Sequence, residues 1–285
     1  MRIGHGTAFL SPDRPLPDSE RMAVIVISGG TGGMGRALAL GRAARGDRVL
    51  AIGSDQAKGA RLGAGIEFVH ADLSTLAGNR AAVAAITAAT PVVDALALFA
   101  NRQFPRRVET EDGLEATFAL YYLSRHLLGR GLTPLLAASA RPVIVNVAGV
   151  GTTRGTIAWD DPQLTRGYGM VRAQLQAGRA NDLLGVAHAA GHGDVVPYVL
   201  YHPGFTRSGD ASMLPAPLRA ALRLAARLAA RPVEESVAAV HDFIDDPPKA
   251  PLTAVDRGRR LPLTLRTLDA GDAARLAALT AEIRA

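Results

Sequence analysis

From residue 23 onward, short apolar runs alternate with longer Ala- and Leu-rich stretches whose polar positions recur at helical spacing. The short runs predict strands at 23–28, 48–53, 66–70, 94–100, 142–147 and 195–201. The stretches between them predict helices at 34–45, 76–89, 114–128 and 168–190, several of them ended by Gly or Pro. Strands that are apolar throughout must be covered on both sides, so this strand-helix order specifies a parallel sheet with helices on both faces. Right-handed crossovers then wind the sheet in two directions and leave ligands over the carboxyl ends of the strands. After residue 201 the pattern changes to a loop and further helices at 214–230 and 234–244, with a last helix from Asp272. With no repeat and no linker, residues 23–285 read as one α/β domain behind an extension at 1–22.

Composition narrows the classes. A hydrophobic share of 48% against 20% charged residues gives enough apolar surface for an independent core. The net charge of +6 arises from scattered Arg rather than from a basic stripe interleaved with aromatics, so no nucleic-acid partner is expected. There is no Cys, which removes disulfides, thiolate catalysis and Cys-bound zinc; no HExxH motif occurs, no metal site is expected, and a cytoplasmic setting is consistent with this usage. The first 21 residues carry prolines and acidic groups, unlike a secretory signal, and no stretch reaches the roughly 20 apolar residues of a membrane span.

The chemistry begins at Ser28-Gly29-Gly30-Thr31-Gly32-Gly33-Met34-Gly35, a glycine-rich loop that leaves an apolar strand and opens a helix. In that setting backbone amides at a helix N-terminus can close on a phosphate that any Cβ would hold away. The loop resembles the TGxxxGxG segment of the short-chain dehydrogenase/reductase family, with Ser28 for Thr. Further similarities follow in order. Asp72-Leu73 resembles the family's acidic position near the adenine, and also reads as a helix N-cap. Asp112 to Phe118 is similar to a segment of the retinol-dehydrogenase-like branch, as are Asn146-Val147 and the spacing of Gly155, Trp159, Asp160 and Asp161. Tyr168-Gly169-Met170-Val171-Arg172 lies where the family has YxxxK, and His202-Pro203-Gly204-Phe205-Thr206 resembles the PG motif beside the nicotinamide.

The resemblance implies a doubly wound Rossmann-type fold, a nicotinamide cofactor and a Ser-Tyr-Lys-Asn catalytic set, from which this chain departs. The serine place is Gly149, after Ala148, leaving Thr152 or Thr153 as substitute donors; the lysine place is Arg172; the asparagine place is Tyr121; and the NNAG run reads Leu98-Phe99-Ala100-Asn101. On that alignment Tyr168 is the acid/base, and Arg172 is expected to lower its pKa by charge attraction. The cofactor set is Ser28, Gly29, Gly33, Met34, Gly35, Ser54, Asp72, Leu73, Asn101, Tyr168, Arg172, Pro203, Gly204 and Thr206. The acid that would select NAD is replaced by Gly53, followed by Ser54, with Asp55 and Lys58 nearby, which favours NADP slightly over NAD.

Three functions remain open on this reading. The first is an NAD(P)-dependent oxidoreductase acting on a carbonyl or alcohol of a small, largely apolar molecule. The others are a non-redox cyclase, isomerase or lyase on the same fold, and a nucleotide-binding protein without catalysis. The substrate pocket is expected from the variable segments 151–167 and 205–230, and pairing of the helices at 114–128 and 168–190 is expected to make a homodimer or homotetramer.

Overall fold

Strand residues Ile25, Val26 and Ile27, Val49 to Ile52 and Ala95 to Leu98 are all buried, alternate side chains entering cores on opposite faces of one sheet. The computed structural model describes residues 22–204 and 233–283. Its elements are β1 (Val24–Ser28), α1 (Gly33–Ala44), β2 (Arg48–Gly53), α2 (Gln56–Gly59), β3 (Ile66–His70), α3 (Leu76–Ala89), β4 (Ala95–Leu98), a π-helical turn (Phe118–Leu123) running into α4 (Ser124–Ala137), β5 (Val143–Val147), α5 (Met170–His192), β6 (Tyr198–His202), α6 (Val233–Asp245), β7 (Leu252–Asp256), β8 (Arg259–Arg260) and α7 (Ala270–Ile283).

The sheet runs β3-β2-β1-β4-β5-β6-β7-β8, parallel except for β8. Strand order reverses between β1 and β4, so the crevice of a doubly wound sheet opens above their carboxyl ends. The six anticipated strands and the helices over 34–45, 76–89, 168–190 and 234–244 are present, with ends shifted by at most three residues. Two features depart from the pattern. β7 was passed over because Leu252-Thr253-Ala254-Val255-Asp256 is short and follows a Pro-rich turn, so its apolar signal is too brief to separate from loop. The helix expected at 114–128 instead starts late. Glu115 is buried, and its carboxylate accepts from the Thr117 and Phe118 amides, capping a turn that continues as a π-helix.

The expected extension at 1–22 lies outside the described residues but for Met22, as do the helix at 214–230, the substrate segment at 205–230 and Thr206. Among the described residues no helix is long and apolar enough to cross a membrane.

α7 packs along α5, the helix assigned above to self-association, with Ala273 and Leu276 buried and Thr280 bonded to the Tyr122 hydroxyl at 2.6 Å. Leu276 is 1% exposed and belongs to the larger core, so Leu276→Ala should lower unfolding free energy by about 2–5 kcal/mol in urea denaturation. A loss under about 0.5 kcal/mol would show that α7 is not docked in solution.

Candidate active site

Where β1 gives way to α1, the backbone turns too tightly for side chains. Gly29 and Gly33 have φ of +69° and +51°, and a Cβ on Gly35 would stand 2.4 Å from the Gly29 carbonyl oxygen. Gly32 caps α1 without any side-chain acceptor, leaving the first amides of the helix open toward the crevice. This cradle begins a cleft of about 640 Å³ that passes over the ends of β2 and β3 on one side and of β4, β5 and β6 on the other. A phosphate of a dinucleotide fits the cradle because only glycines allow the approach, and the volume lies within the usual range for cofactor sites.

Most of the anticipated cofactor residues meet here. Gly29, Gly33, Met34, Gly35, Ser54, Asp72, Leu73, Asn101, Pro203 and Gly204 all line the cleft. Ser28 does not. It is fully buried, and its hydroxyl oxygen accepts from the Phe99 and Ala100 amides at 3.2 and 3.3 Å, tying β1 to the end of β4. Asp72 is not the N-cap of α3; Thr75 caps that helix by accepting from the Gly78 amide, while Asp72 accepts from the Ser74 amide and hydroxyl at the cleft wall. Lys58 also lines the cleft, 3.7 Å from Asp55.

The catalytic candidates are more dispersed. Tyr168 precedes α5, whose N-cap is Gly169, and is not among the described residues that line the cleft. Its hydroxyl donates to the Phe104 carbonyl at 2.7 Å, so it is tied to a segment of the cleft wall. Arg172 donates to the Arg166 and Gly167 carbonyls at 3.2 and 2.8 Å and is likewise absent from the lining. The expected lowering of the Tyr168 pKa is therefore reversed: burial pushes the phenol above its ordinary value, and Arg172 is not among the causes. From α5 it is Gln174 that reaches the cofactor side, exchanging amide hydrogen bonds with Asn101 at 3.0 and 3.2 Å. Gly149 lines the cleft, and a Cβ placed on it would lie 3.8 Å from the Thr152 hydroxyl, so Thr152 does bring a hydroxyl next to the vacant serine place.

Tyr121 is the phenol that lines the cleft among the described residues, together with Arg125 one turn later. Arg125 is 1% exposed, and its guanidinium lies 4.7 Å from the Tyr121 ring centroid. It donates to the Asn146 side-chain oxygen, to the Val147 carbonyl at 2.9 Å and to the Ala100 carbonyl at 3.2 Å. Asn146 in turn donates to Asn181 and to the Tyr198 hydroxyl, and Asn181 donates to the Tyr121 carbonyl, forming a buried polar floor under the cleft. At the far wall His202 holds Asp256 at 2.8 Å, the two sitting opposite each other in the β6–β7 register.

Arg125 and Gln174 were not foreseen. A Tyr-to-Arg spacing of four residues at 121–125 is legible in the sequence, but the resemblance marks only Tyr121, as the asparagine place. His188 and His192, also four residues apart, place their rings 5.6 Å apart, yet His188 Nε2 is committed to the Val196 carbonyl. No cluster of three metal-ligating side chains occurs among the described residues.

The comparisons agree with this geometry. The short chain dehydrogenase family model matches residues 23–160. A candidate daunorubicin C-13 ketoreductase from a Streptomyces strain is 30% identical over 193 residues, which are 65% of this chain and 66% of that one. The chain belongs to the short-chain dehydrogenase/reductase family. Human retinol dehydrogenase 13 is 29% identical over 163 residues, 54% of this chain and 49% of that one, so this short-chain dehydrogenase/reductase matches between half and just under two thirds of these relatives' length. Among solved structures, the 3-alpha-hydroxysteroid dehydrogenase of Pseudomonas sp. B-0831 complexed with NADH shares the fold, with a TM-score of 0.62 at 23% identity over 83% of this chain and 96% of that one.

Two outcomes test this site. Gly35→Ala should weaken nucleotide binding at least about tenfold by calorimetry, because the new methyl must displace the Gly29 backbone; unchanged affinity would mean that phosphate is bound elsewhere. Below the floor, burial raises Asp182 to about 7 despite its 3.0 Å pair with Arg179. A carboxyl raised on folding contributes stability that is full below its unfolded value and declines as pH rises toward the folded one. Between about pH 4 and pH 7 the wild type should therefore lose stability relative to Asp182→Asn in urea titrations. A gain of the wild type relative to the variant over the same window would show the ion pair to outweigh burial.

Proposed function

We propose that this chain is a nicotinamide-dependent oxidoreductase that reduces a carbonyl, or oxidises the alcohol, of a small and largely apolar molecule, with NADP favoured over NAD. The carrying observation is one continuous cleft from the glycine cradle to Tyr121 and Gly149. Its cradle end suits a pyrophosphate, and its other end is walled by Phe104, Leu120, Tyr121 and Ala148, which suit an apolar substrate. The relatives described as a ketoreductase and a retinol dehydrogenase, and the related fold that holds NADH, support the same chemistry.

The cofactor, when bound, supplies or takes up hydride. This chain's part is to hold the phosphates on the amides of α1, to support the adenine end with Asp72 and Leu73, and to present Asn101, fixed by Gln174, at the turn after β4. NADP is favoured because Gly53 leaves no carboxylate at the last position of β2, while Asp55 and Lys58, which both line the cleft beyond it, pull in opposite directions. The non-redox reading draws on Gly149, which offers no hydroxyl to a substrate oxygen, unless Thr152 reaches across.

Calorimetry with NADPH and NADH, followed by nicotinamide absorbance over a panel of apolar ketones and aldehydes, tests the proposal. The expected result is tighter binding of NADPH, a loss of about tenfold of that preference in Lys58→Glu, and carbonyl-dependent oxidation of the reduced cofactor. Binding of neither nucleotide, or nucleotide binding with no oxidation across the panel, would remove the reductase reading.

A further inference from the structure

A guanidinium buried without a carboxylate is costly, and its position demands an account. Among the described residues no carboxylate pairs with Arg125; its partners are carbonyl and amide oxygens, and its Nε–H is buried with no acceptor at all. Its charge lies beneath the Tyr121 ring, and both residues line the cleft at the end opposite the glycine cradle. The hydroxyl of Tyr121 makes no hydrogen bond to any described residue, although its carbonyl is bound by Asn181. A phenol that opens onto a cofactor cleft, with an uncompensated cation four residues later, is arranged to release a proton.

We propose that Tyr121 is the proton donor of this cleft and that Arg125 stabilises the phenolate it leaves. The proposal rests on the carbonyl-reductase reading above and assigns its acid. With the hydride that a bound reduced nicotinamide would supply to the carbonyl carbon, the C=O π pair would move to oxygen, and that oxygen would take the proton of the Tyr121 hydroxyl to complete the alcohol. The phenolate regains a proton from water in the cleft. In oxidation the phenolate removes the alcohol proton.

The surroundings suit an acid of this kind. Burial holds the Tyr121 phenol above its ordinary value, so the proton is present at neutral pH, while Arg125 pulls in the opposite direction and favours its release. Asp182, facing from α5, adds to the upward push. Tyr121 reaches the cleft because the π-helical turn at Phe118–Leu123 inserts an extra residue into its helical repeat, a distortion often found at functional sites. Ala148 and Ala177 pack against Tyr121 and are small enough to leave its ring facing the substrate end.

The test compares Tyr121→Phe, Tyr168→Phe and Arg125→Lys with the wild type. Tyr121→Phe should lower turnover at least about a hundredfold with nucleotide affinity and melting temperature little changed. Separately, ultraviolet tyrosinate absorbance of the nucleotide-free protein, taken as the difference between each background and its Tyr121→Phe partner, reports the Tyr121 titration alone. Arg125→Lys should move that titration to higher pH, because a point charge on a different stem no longer lies flat beneath the ring. Turnover retained within about threefold in Tyr121→Phe, or a greater loss in Tyr168→Phe, would overturn the assignment. A Tyr121 titration indifferent to Arg125→Lys would overturn the pairing even if no carbonyl in the panel reacts. Absence of wild-type turnover would fall on the reductase reading instead.

Discussion

Arg125 carries its charge into the interior and meets the ends of two central strands there. One side of its guanidinium holds Asn146 and the Val147 carbonyl at the end of β5, and the other holds the Ala100 carbonyl just after β4. These carbonyls face the crevice side of the sheet, where the ladder has ended and no neighbouring strand can satisfy them. Each buried acceptor left unpaired would cost about 1–3 kcal/mol, so one side chain secures several groups together. It also fixes the start of α4 against the sheet, and with it the cleft wall that Tyr121 occupies. The cradle end of the cleft depends on the glycine loop, but the wall at Tyr121 depends on this one cation.

The two ends are built by different means. At the cradle, function follows from the absence of side chains: Gly29, Gly33 and Gly35 let a strand, a turn and a helix approach so closely that only backbone amides remain to meet a phosphate. At the floor lies a dense polar set, in which Arg125, Asn146, Asn181 and Tyr198 are linked by hydrogen bonds and only the Arg125 Nε–H is left without an acceptor. A network of that kind is rigid only when nearly complete, which ties the geometry of the cleft wall to stability more tightly here than at the glycine loop.

The alternation of apolar runs and helical stretches, together with the glycine loop, was enough to give the parallel sheet, the place of the crevice and most of the residues that line its glycine-loop end. These are local properties: a strand buried on both faces is apolar throughout, and a turn that needs positive φ is rich in Gly. Ser28 was misplaced for a related reason. A hydroxyl beside a glycine loop reads as a ligand contact, yet in the folded chain the adjacent backbone at Phe99 and Ala100 is closer and takes it.

The spacing of Tyr168 and Arg172 put both residues on one helical face, and that held only if the helix began before Tyr168. It begins at Met170, after an extended Gly169, so the two side chains diverge, one to the Phe104 carbonyl and one to the loop at Arg166 and Gly167. Tyr121 and Arg125 have the same spacing and do converge, because a π-turn and a buried set of carbonyl oxygens orient them. The sequence by itself determined the layers of the fold and where the glycine-lined crevice opens, since burial and backbone conformation are encoded residue by residue. Which phenol faces the cleft was decided by the tertiary structure, because that depends on where a helix starts and on which distant carbonyls a buried charge must satisfy.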